Sequence, residues 1–358
     1  MKKILALVMA LVMIFAMCAC GKTAAPAEQA APAEEAAPAE EAAPVEEAAP
    51  VALTDVTICG TNGKGDTQSI AHENFAAYLN ELGGWNAVAM VSSEMGSTDD
   101  VLEQAMAGAA VTAATDPARI AAYCPGIGIL MMPYMFDSYD QLDGLMETEL
   151  YKGWCEELKD QGLVLLTNNC ITGFRMYVTK NPVNAPADLN GVKIRTMGSA
   201  IAQNSINAMG AVATALNQNE AYNAIETGVV DGGEWQIPTI YSLRLYEVCK
   251  NISFTKHFLL TGSIVCGSAW FDTLSEEQQT QMTETAVKAY GETKAMVQEY
   301  ETKYIDEMVK DYGVTVNENP DIEAFKEATA FLYSDDATTG GLDFLALRDE
   351  LYAQMGIA

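Results

Sequence analysis

Short apolar stretches alternate with amphipathic stretches along the chain after residue 52. DVTICGT, from Asp55, is rich in β-branched residues and predicts a strand, and TQSIAHENFAAYLNELGG, from Thr67, predicts an amphipathic helix that ends at a glycine pair. The same order returns with NAVAMVSS as a strand and DDVLEQAMAGA as a helix. Such alternation is typical of parallel strands joined by helical crossovers, so the pattern predicts an α/β fold.

The second half of the chain repeats this order and adds one long helix. QGLVLLTNN, FRMYVTK and GVKIRTM predict strands, and Ser199 is a suitable N-cap for the helix that follows the third of them. After Leu274, apolar positions recur at steps of three, four and seven as far as Met308. A helix of about 35 residues would be about 50 Å long at about 1.5 Å per residue, enough to brace two lobes.

The N-terminus has the layout of an export signal. Two lysines precede an apolar run of about 14 residues, Ile4 to Met17, whereas about 20 residues are needed to cross a bilayer. Cys20 stands between small residues in FAMCACGK, which resembles a bacterial lipobox. Residues 1–20 are therefore predicted to be a lipoprotein signal peptide, with Cys20 as the lipidated first residue of the mature chain. The alternative is cleavage without a lipid and a secreted product.

Residues 21–52 predict a disordered linker, because the repeat AAPAEE carries proline and charge but no residues for a core. The net charge of −29 argues against nucleic acid as a partner. The six cysteines beyond the linker lack any Cys-x-x-Cys spacing, which favours free thiols or one or two disulfides over a metal or redox site.

The usual catalytic motifs are missing from the sequence. GTNGKGD lacks the spacing and the Lys-Ser/Thr of a phosphate loop, and no Gly-x-Ser-x-Gly occurs. Of the two histidines, His72 has no second histidine at the zinc spacing, and His257 has no supporting pattern. The sequence therefore predicts a protein that is not an enzyme and has no cofactor.

Several segments, in their order and spacing, resemble one family of solute receptors. They are MMPYMF at 131–136, GFRMYVTKNPV from Gly173, DLNGVKIRT from Asp188, MGAVATALNQNEAYNAIETGVVDGGEW ending at Trp235, TKH at 255–257 and WFDTLSEEQQ from Trp270. The family comprises the extracytoplasmic receptors of tripartite ATP-independent periplasmic (TRAP) transporters, in the dicarboxylate-receptor (DctP) group. The resemblance covers nearly the whole of the predicted solute-binding domain, residues 53–358.

The resemblance implies a two-lobed, periplasmic-binding-protein-like α/β fold braced by the long C-terminal helix. The implied lobes are discontinuous: lobe I is residues 53–175 with 262–300, and lobe II is 176–261 with 301–358. A small organic acid would bind in the cleft and pass to a permease with a small and a large membrane subunit. The alternative is a binding protein of an ATP-driven importer or of a sensor-coupled receptor. The ligand stays open among C4 dicarboxylates, 2-oxoacids, sugar acids and aromatic acids.

Arginines at two strand ends are the first candidate ligand-binding residues. Arg195 closes the strand VKIRT just before a helix start, where anions bind in open α/β sheets and where a guanidinium can grip a carboxylate with two hydrogen bonds. The resemblance makes Arg195 the main carboxylate clamp and Arg175, in GFRMY, a second arginine near the same carboxylate. The competing interpretation of Arg175 is a salt bridge between lobes.

The remaining candidate ligand-binding residues rest on weaker sequence signals. The resemblance places Trp235 on the pocket wall, offering its indole face or N–H, and admits a cation beside Glu234. The competing interpretation of Glu234 is a residue that caps or bridges structure. Other polar residues follow strand ends, where the family lines its cleft, and the competing interpretation of each is an ordinary turn residue. These other candidates are Asn62, Glu94, Thr115 and Asn217.

Overall fold

The computed structural model describes residues 52–357. The predicted signal peptide, Cys20 and the predicted linker up to residue 51 lie outside the described residues. The strands are β1 (Thr54–Cys59), β2 (Trp85–Met90), β3 (Val111–Thr115), β4 (Leu163–Phe174), β5 (Met176–Thr179), β6 (Lys193–Thr196), β7 (Val212–Ala215), β8 (Gly232–Trp235), β9 (Asn251–Ser253), β10 (Leu259–Gly267) and β11 (Thr315–Asn317).

Helices separate most of these strands. They are α1 (Thr67–Leu82), α2 (Thr98–Met106), α3 (Pro117–Ile120), α4 (Glu149–Asp160), α5 (Ala200–Ala208), α6 (Ala221–Glu226), α7 (Ile237–Ser242), α8 (Ser268–Phe271), α9 (Glu276–Gly291), α10 (Thr293–Tyr312), α11 (Ile322–Thr329), α12 (Asp336–Thr339) and α13 (Phe344–Met355). None of these helices is long and apolar enough to span a bilayer. Ser199 accepts a hydrogen bond from the main-chain N–H of Ala202 and caps α5, as predicted.

The strands form two sheets, and the predicted α/β fold is confirmed. The first sheet has the order β2-β1-β3-β10-β4, and the second has the order β11-β9-β5-β8-β6-β7. Parallel pairing holds for β1 with β2 and β3, and for β6 with β7 and β8. The prediction of parallel strands was incomplete, because β10 pairs antiparallel with β3 and β4, and β5 pairs antiparallel with β8 and β9.

The chain crosses between the sheets at three places. A single residue, Arg175, separates β4 of the first sheet from β5 of the second. Residues 254–258 lead back from β9 to β10, and the helical segment from α9 to α10 leads forward again to β11. The main-chain N–H of Arg175 donates to the carbonyl of Phe258 at 2.8 Å, so the first two crossings are tied to each other.

The long C-terminal helix is present but interrupted. Helical hydrogen bonding stops at Glu292, between α9 and α10, although the backbone there stays in the right-handed helical region. The side-chain amide of Asn169 donates to the carbonyl of Val287 at 2.9 Å, in the last turn of α9.

All six described cysteines are free thiols. They are Cys59, Cys124, Cys155, Cys170, Cys249 and Cys266. All but Cys155 are buried, so within residues 52–357 the fold is held by its apolar cores and hydrogen bonds rather than by disulfides.

Candidate functional site

A cavity of about 80 Å³ lies where the carboxyl ends of parallel strands from both sheets come together. Residues just beyond β1, β3, β6 and β7 contribute to its wall, which is the usual position of a ligand site in an open α/β sheet. The wall consists of Thr61, Asn62, Gln68, Ser93, Ser97, Thr98, Ala114, Thr115, Asp116, Arg119, Thr172, Arg175, Arg195, Met197, Asn217, Gln218, Asn219, Gln236, Leu260 and Gly262.

Arg195 lies in β6 and presents a buried guanidinium to this cavity. Arg195 is 3 % exposed, and its Nε donates to the carbonyl of Leu216 at 3.0 Å. Within residues 52–357 this is the only hydrogen bond of the Arg195 side chain, and no carboxylate forms a salt bridge with it. Burial lowers the pKa of Arg195 to about 9, and the positive charge of Arg175 adds to the effect. Among the described residues, the charge of Arg195 therefore has no carboxylate in direct contact.

Arg175 is paired with a buried carboxylate. Its Nε and Nη2 donate to the two carboxylate oxygens of Glu234, the second at 2.7 Å, and Nη2 also donates to the Glu234 carbonyl. Thr196 donates its hydroxyl to Glu234 at 2.7 Å, and His257 Nε2 lies 3.6 Å from the carboxylate. Burial alone would raise the pKa of Glu234, but Arg175 and His257 hold it at about 2. Glu234 therefore neutralises Arg175.

The indole ring of Trp235 packs against the guanidinium of Arg195. The guanidinium carbon of Arg195 lies 5.0 Å from the centre of the indole, within the range of a cation–π interaction. The indole is fully buried, and its N–H has no hydrogen-bond partner in the described chain. Gly233 lies on the same face of β8, and a Cβ at that position would meet the indole ring. Glycine at 233 is thus required for the indole to lie beneath Arg195.

We expect Gly233→Ala to weaken ligand binding by at least about tenfold, because displacing the indole removes an interaction of about 1–2 kcal/mol and shifts Arg195. Isothermal titration calorimetry measures the loss. Gly191→Ala is a suitable control, because Gly191 has a positive φ, lies outside the cavity wall and has open space within 4 Å of the position that a Cβ would take. It should lower stability and leave affinity unchanged; equal affinity losses in both variants would contradict the role given to Trp235.

Asp116 and Arg119 form a second charged pair on the wall. Asp116 is the N-cap of α3: its Oδ1 accepts from the main-chain N–H of Arg119 at 3.0 Å, and its Oδ2 lies 3.2 Å from Arg119 Nε. Arg119 also pairs with Asp99, whose side chain is 61 % exposed. Burial raises the pKa of Asp116, and Arg119 opposes the rise.

Sequence reasoning missed this pair, although two signals were present. Asp116-Pro117 directly follows β3, which is the position of a helix N-cap at the carboxyl end of a strand. Arg119 follows Asp116 at a spacing of three, which allows an ion pair. Reading the segment only as a turn left both charges out of the candidate site.

Amides complete the wall and bridge the two sheets. Asn62, just after β1, donates its amide N–H to Asp66 at 2.8 Å and accepts from the Gln218 amide at 2.6 Å. Gln218 follows β7 of the second sheet, so this hydrogen bond joins the two halves of the cavity. Gln236 donates to the Thr172 hydroxyl at 3.0 Å on the opposite wall.

A comparison with models of protein families identifies the family of this chain. The model of the DctP family, described as bacterial extracellular solute-binding protein, family 7, matches residues 59–338. This chain belongs to that family. Members of this family are substrate-binding receptors rather than enzymes. A polar cavity that could hold a small ligand is consistent with such a receptor.

Relatives of this family 7 protein are named for several different ligands. The chain is 31 % identical over 248 residues to the 2,3-diketo-L-gulonate-binding periplasmic protein YiaO of Escherichia coli, covering 68 % of this chain and 70 % of that protein. It is 28 % identical over 270 residues to the ectoine-binding periplasmic protein TeaA of Halomonas elongata, with coverages of 74 % and 79 %.

A solved structure of the family shows the same architecture. It is a TRAP periplasmic solute-binding protein of Actinobacillus succinogenes with bound L-galactonate, at 26 % identity and a TM-score of 0.78. The match covers 84 % of this chain and all of that one. The predicted two-lobed fold and the resemblance to TRAP receptors are thus confirmed.

The structure brings five of the eight predicted ligand-binding residues to the cavity wall of this family 7 receptor: Arg195, Arg175, Asn217, Thr115 and Asn62. The hydroxyl of Thr115 has no hydrogen-bond partner in the described chain. Glu234 lies behind Arg175, and Trp235 offers its indole face to Arg195 rather than to the cavity.

Glu94 lies apart from the cavity. It is exposed in the loop after β2, while Ser93 and Ser97 of the same loop reach the wall. Ser92 and Ser93 adopt positive φ values, and this turn of the backbone leaves the Glu94 side chain in solvent.

A positively charged side chain of the protein already occupies the position beside Glu234 where the resemblance admits a cation. Both carboxylate oxygens of Glu234 already accept hydrogen bonds from Arg175. Residues 52–357 contain no group of three or more His, Cys, Asp or Glu side chains that could hold a metal ion. Within the described residues, the positive charge in contact with Glu234 is the guanidinium of Arg175, and a cation there stays a prediction.

Proposed function

We propose that this protein is the extracytoplasmic receptor of a TRAP-type transporter and that it binds a small organic acid in the cavity. Arg195 is the carboxylate clamp, with Arg175 beside it. The receptor performs no chemistry on the ligand and delivers it to a permease with a small and a large membrane subunit.

One observation carries this proposal: the guanidinium of Arg195 is buried, and no carboxylate within residues 52–357 contacts it directly. A buried charge is costly unless it is paired and hydrogen-bonded. Arg195 nevertheless has one acceptor, Leu216 O, and stacks on an indole that cannot neutralise it. A carboxylate bound through two parallel hydrogen bonds would supply the missing charge.

Lobe closure over the ligand is the second part of the proposal. The predicted lobes, 53–175 with 262–300 and 176–261 with 301–358, would move about the crossings at Arg175 and 254–258. The hydrogen bond from Gln218 to Asn62 supports this, because it bridges the two sheets and can form only when they are close. Closure by a hinge is the usual response of such receptors to ligand.

The location of the receptor is proposed from the N-terminal sequence. Signal peptidase would cleave before Cys20, lipid on that thiol would anchor the chain to the outer face of the cytoplasmic membrane, and residues 21–52 would act as a spacer. Radioactive palmitate labelling of the expressed protein, with Cys20→Ser as the control, tests the anchor. Equal labelling of both proteins would contradict it.

A thermal-shift screen against small organic acids tests the receptor function. The protein is first partly unfolded and refolded to remove carried-over ligand. Binding to the native state alone adds about 2.7 kcal/mol of stability at a hundredfold excess over Kd, so we expect a clear rise in Tm for one class of carboxylates. A rise with neutral sugars or metals but with no organic acid would contradict the proposal.

The alternative partner is an ATP-driven importer or a sensor-coupled receptor. Such proteins would share the cavity, so the screen does not separate them. Ligand uptake by vesicles that contain the two TRAP membrane subunits, driven by an ion gradient and without ATP, would decide for the TRAP permease.

A further inference from the structure

Asp66 is a buried carboxylate that lies outside the cavity wall. It is 1 % exposed and is the N-cap of α1. Its Oδ1 accepts from the side-chain amide of Asn62 at 2.8 Å and from the main-chain N–H of Gln68 at 2.9 Å. Its Oδ2 accepts from the hydroxyl of Thr239 at 2.9 Å. Burial raises the pKa of Asp66, and these hydrogen bonds from neutral donors oppose the rise.

The hydrogen bonds of Asp66 join the two sheets. The donors to Oδ1 belong to the segment from β1 to α1, on the first sheet. Thr239 lies in α7, which directly follows β8 of the second sheet. Tyr241 of α7 stacks on Tyr304 of α10 with the ring centres 4.0 Å apart, and α10 leads to β11 of the second sheet. The second sheet therefore positions α7, and the hydrogen bond from Thr239 to Asp66 crosses between the sheets.

Asp66 also sets the orientation of an amide on the cavity wall. An ionised carboxylate can only accept hydrogen bonds, so Asn62 turns its NH₂ group towards Asp66 and its oxygen away. That oxygen accepts from the Gln218 amide at 2.6 Å. Without Asp66 the Asn62 amide could turn round, and the N–H of Gln218 would lose its acceptor. Asp66 thus supports two hydrogen bonds between the sheets, its own from Thr239 and the one from Gln218 to Asn62.

We infer that Asp66 is a positioning residue for ligand binding, because its hydrogen bonds with Thr239 and Asn62 form a latch that holds the lobes closed. Opening of the lobes separates Thr239 from Asp66 and returns the carboxylate to water, which supplies other donors. The latch therefore slows the release of a captured ligand without touching it. This inference rests on the proposed function, because the latch acts on lobe closure.

The variant Thr239→Val removes one hydroxyl and nearly keeps the shape of the side chain. Thr329→Val is the matched control: Thr329 is also 2 % exposed and donates at 2.9 Å, but to the carbonyl of Phe325 within α11. The probe is whichever of succinate, pyruvate, gluconate and benzoate raises the Tm of the wild type most. We expect Thr239→Val to bind this probe about tenfold more weakly than the control by calorimetry, because Asp66 is left without a donor in the closed form.

Rates separate a latch from a general loss of stability. Stopped-flow tryptophan fluorescence measures the association and dissociation of the same probe. The lost hydrogen bond forms only when the lobes close, so dissociation should become about tenfold faster while association changes little. Thr239→Ser keeps a hydroxyl and should restore the wild-type dissociation rate. A lower Tm of Thr239→Val with unchanged dissociation would contradict the latch.

A double-mutant cycle tests whether Asp66 and Thr239 act together. Serine is as good an N-cap as aspartate, so Asp66→Ser should retain α1 while removing the oxygen that faces α7. The variant with both Asp66→Ser and Thr239→Val should lose no more affinity than Asp66→Ser alone, because the hydrogen bond is already absent. Losses that multiply would mean that the two residues act independently.

Failure of the latch and failure of the proposed function give different results. If the wild type binds the probe and Thr239→Val behaves as Thr329→Val does, the receptor stands and the latch is wrong. If none of the four acids raises the Tm of the wild type, the proposed function is contradicted and the latch fails with it.

Discussion

Arg195→Ala is expected to weaken carboxylate binding by about 2–5 kcal/mol, which is a loss of about 30-fold to several thousand-fold. The ligand carboxylate would be left in a poorly solvated cavity without its counter-charge. Arg175 can replace the lost group only in part, because its Nε and Nη2 already donate to Glu234 and cannot form two parallel hydrogen bonds to the ligand. Isothermal titration calorimetry with the acid found in the thermal-shift screen measures the effect.

Arg195→Lys separates charge from geometry. Lysine keeps the positive charge but cannot form two parallel hydrogen bonds to a carboxylate or stack its planar group on an indole. We expect it to bind more weakly than the wild type as well. Arg244→Ala, at a side chain that is 66 % exposed, is the matched control and should leave affinity unchanged. Tight binding by Arg195→Ala would remove Arg195 from the site.

Glu234→Gln is expected to cost about 3–5 kcal/mol of unfolding free energy at neutral pH, because it leaves the guanidinium of Arg175 buried and unpaired. Urea denaturation measures the loss. Asp272→Asn is the matched control, since Asp272 pairs with Lys159 between two side chains that are about half exposed. Exposed pairs contribute about 0–1 kcal/mol, so a similar loss in both variants would contradict a special role for Glu234.

The acid response of Glu234 follows from the same pair. Its pKa in the folded protein, about 2, lies below the ordinary value of 4.5. The contribution of the pair is therefore fully present above the ordinary pKa and is lost as the pH falls through about 2. Between these values the wild type should lose stability more steeply than Glu234→Gln, which has no carboxylate to protonate at that position.

Local patterns were enough to predict α1, α2, α5, the long segment of α9 and α10, the strands β1, β2, β4, β5 and β6, and the arginine near the end of β6, but not the short helices or the strands from β7 to β11. Each of these predictions depends on a few neighbouring residues, such as the alternation of VKIRT. The Arg175–Glu234 pair joins residues 59 positions apart, and the hydrogen bond from Asn169 to the carbonyl of Val287 in α9 joins residues 118 positions apart. No periodicity in the sequence carries such long-range contacts, so the function of Trp235 as a support for Arg195 became evident only in the fold.

The position of Arg175 restricts how the ligand specificity of this protein can evolve. The residue is at once part of the cavity wall and the single link between β4 and β5. In the proposed hinge motion, a substitution there would alter affinity and the energetics of closure together, so selection could not adjust one without the other. Asp116 and Asn217 line the same cavity away from the crossings. New preferences should therefore arise first at these two positions, while residue 175 stays an arginine.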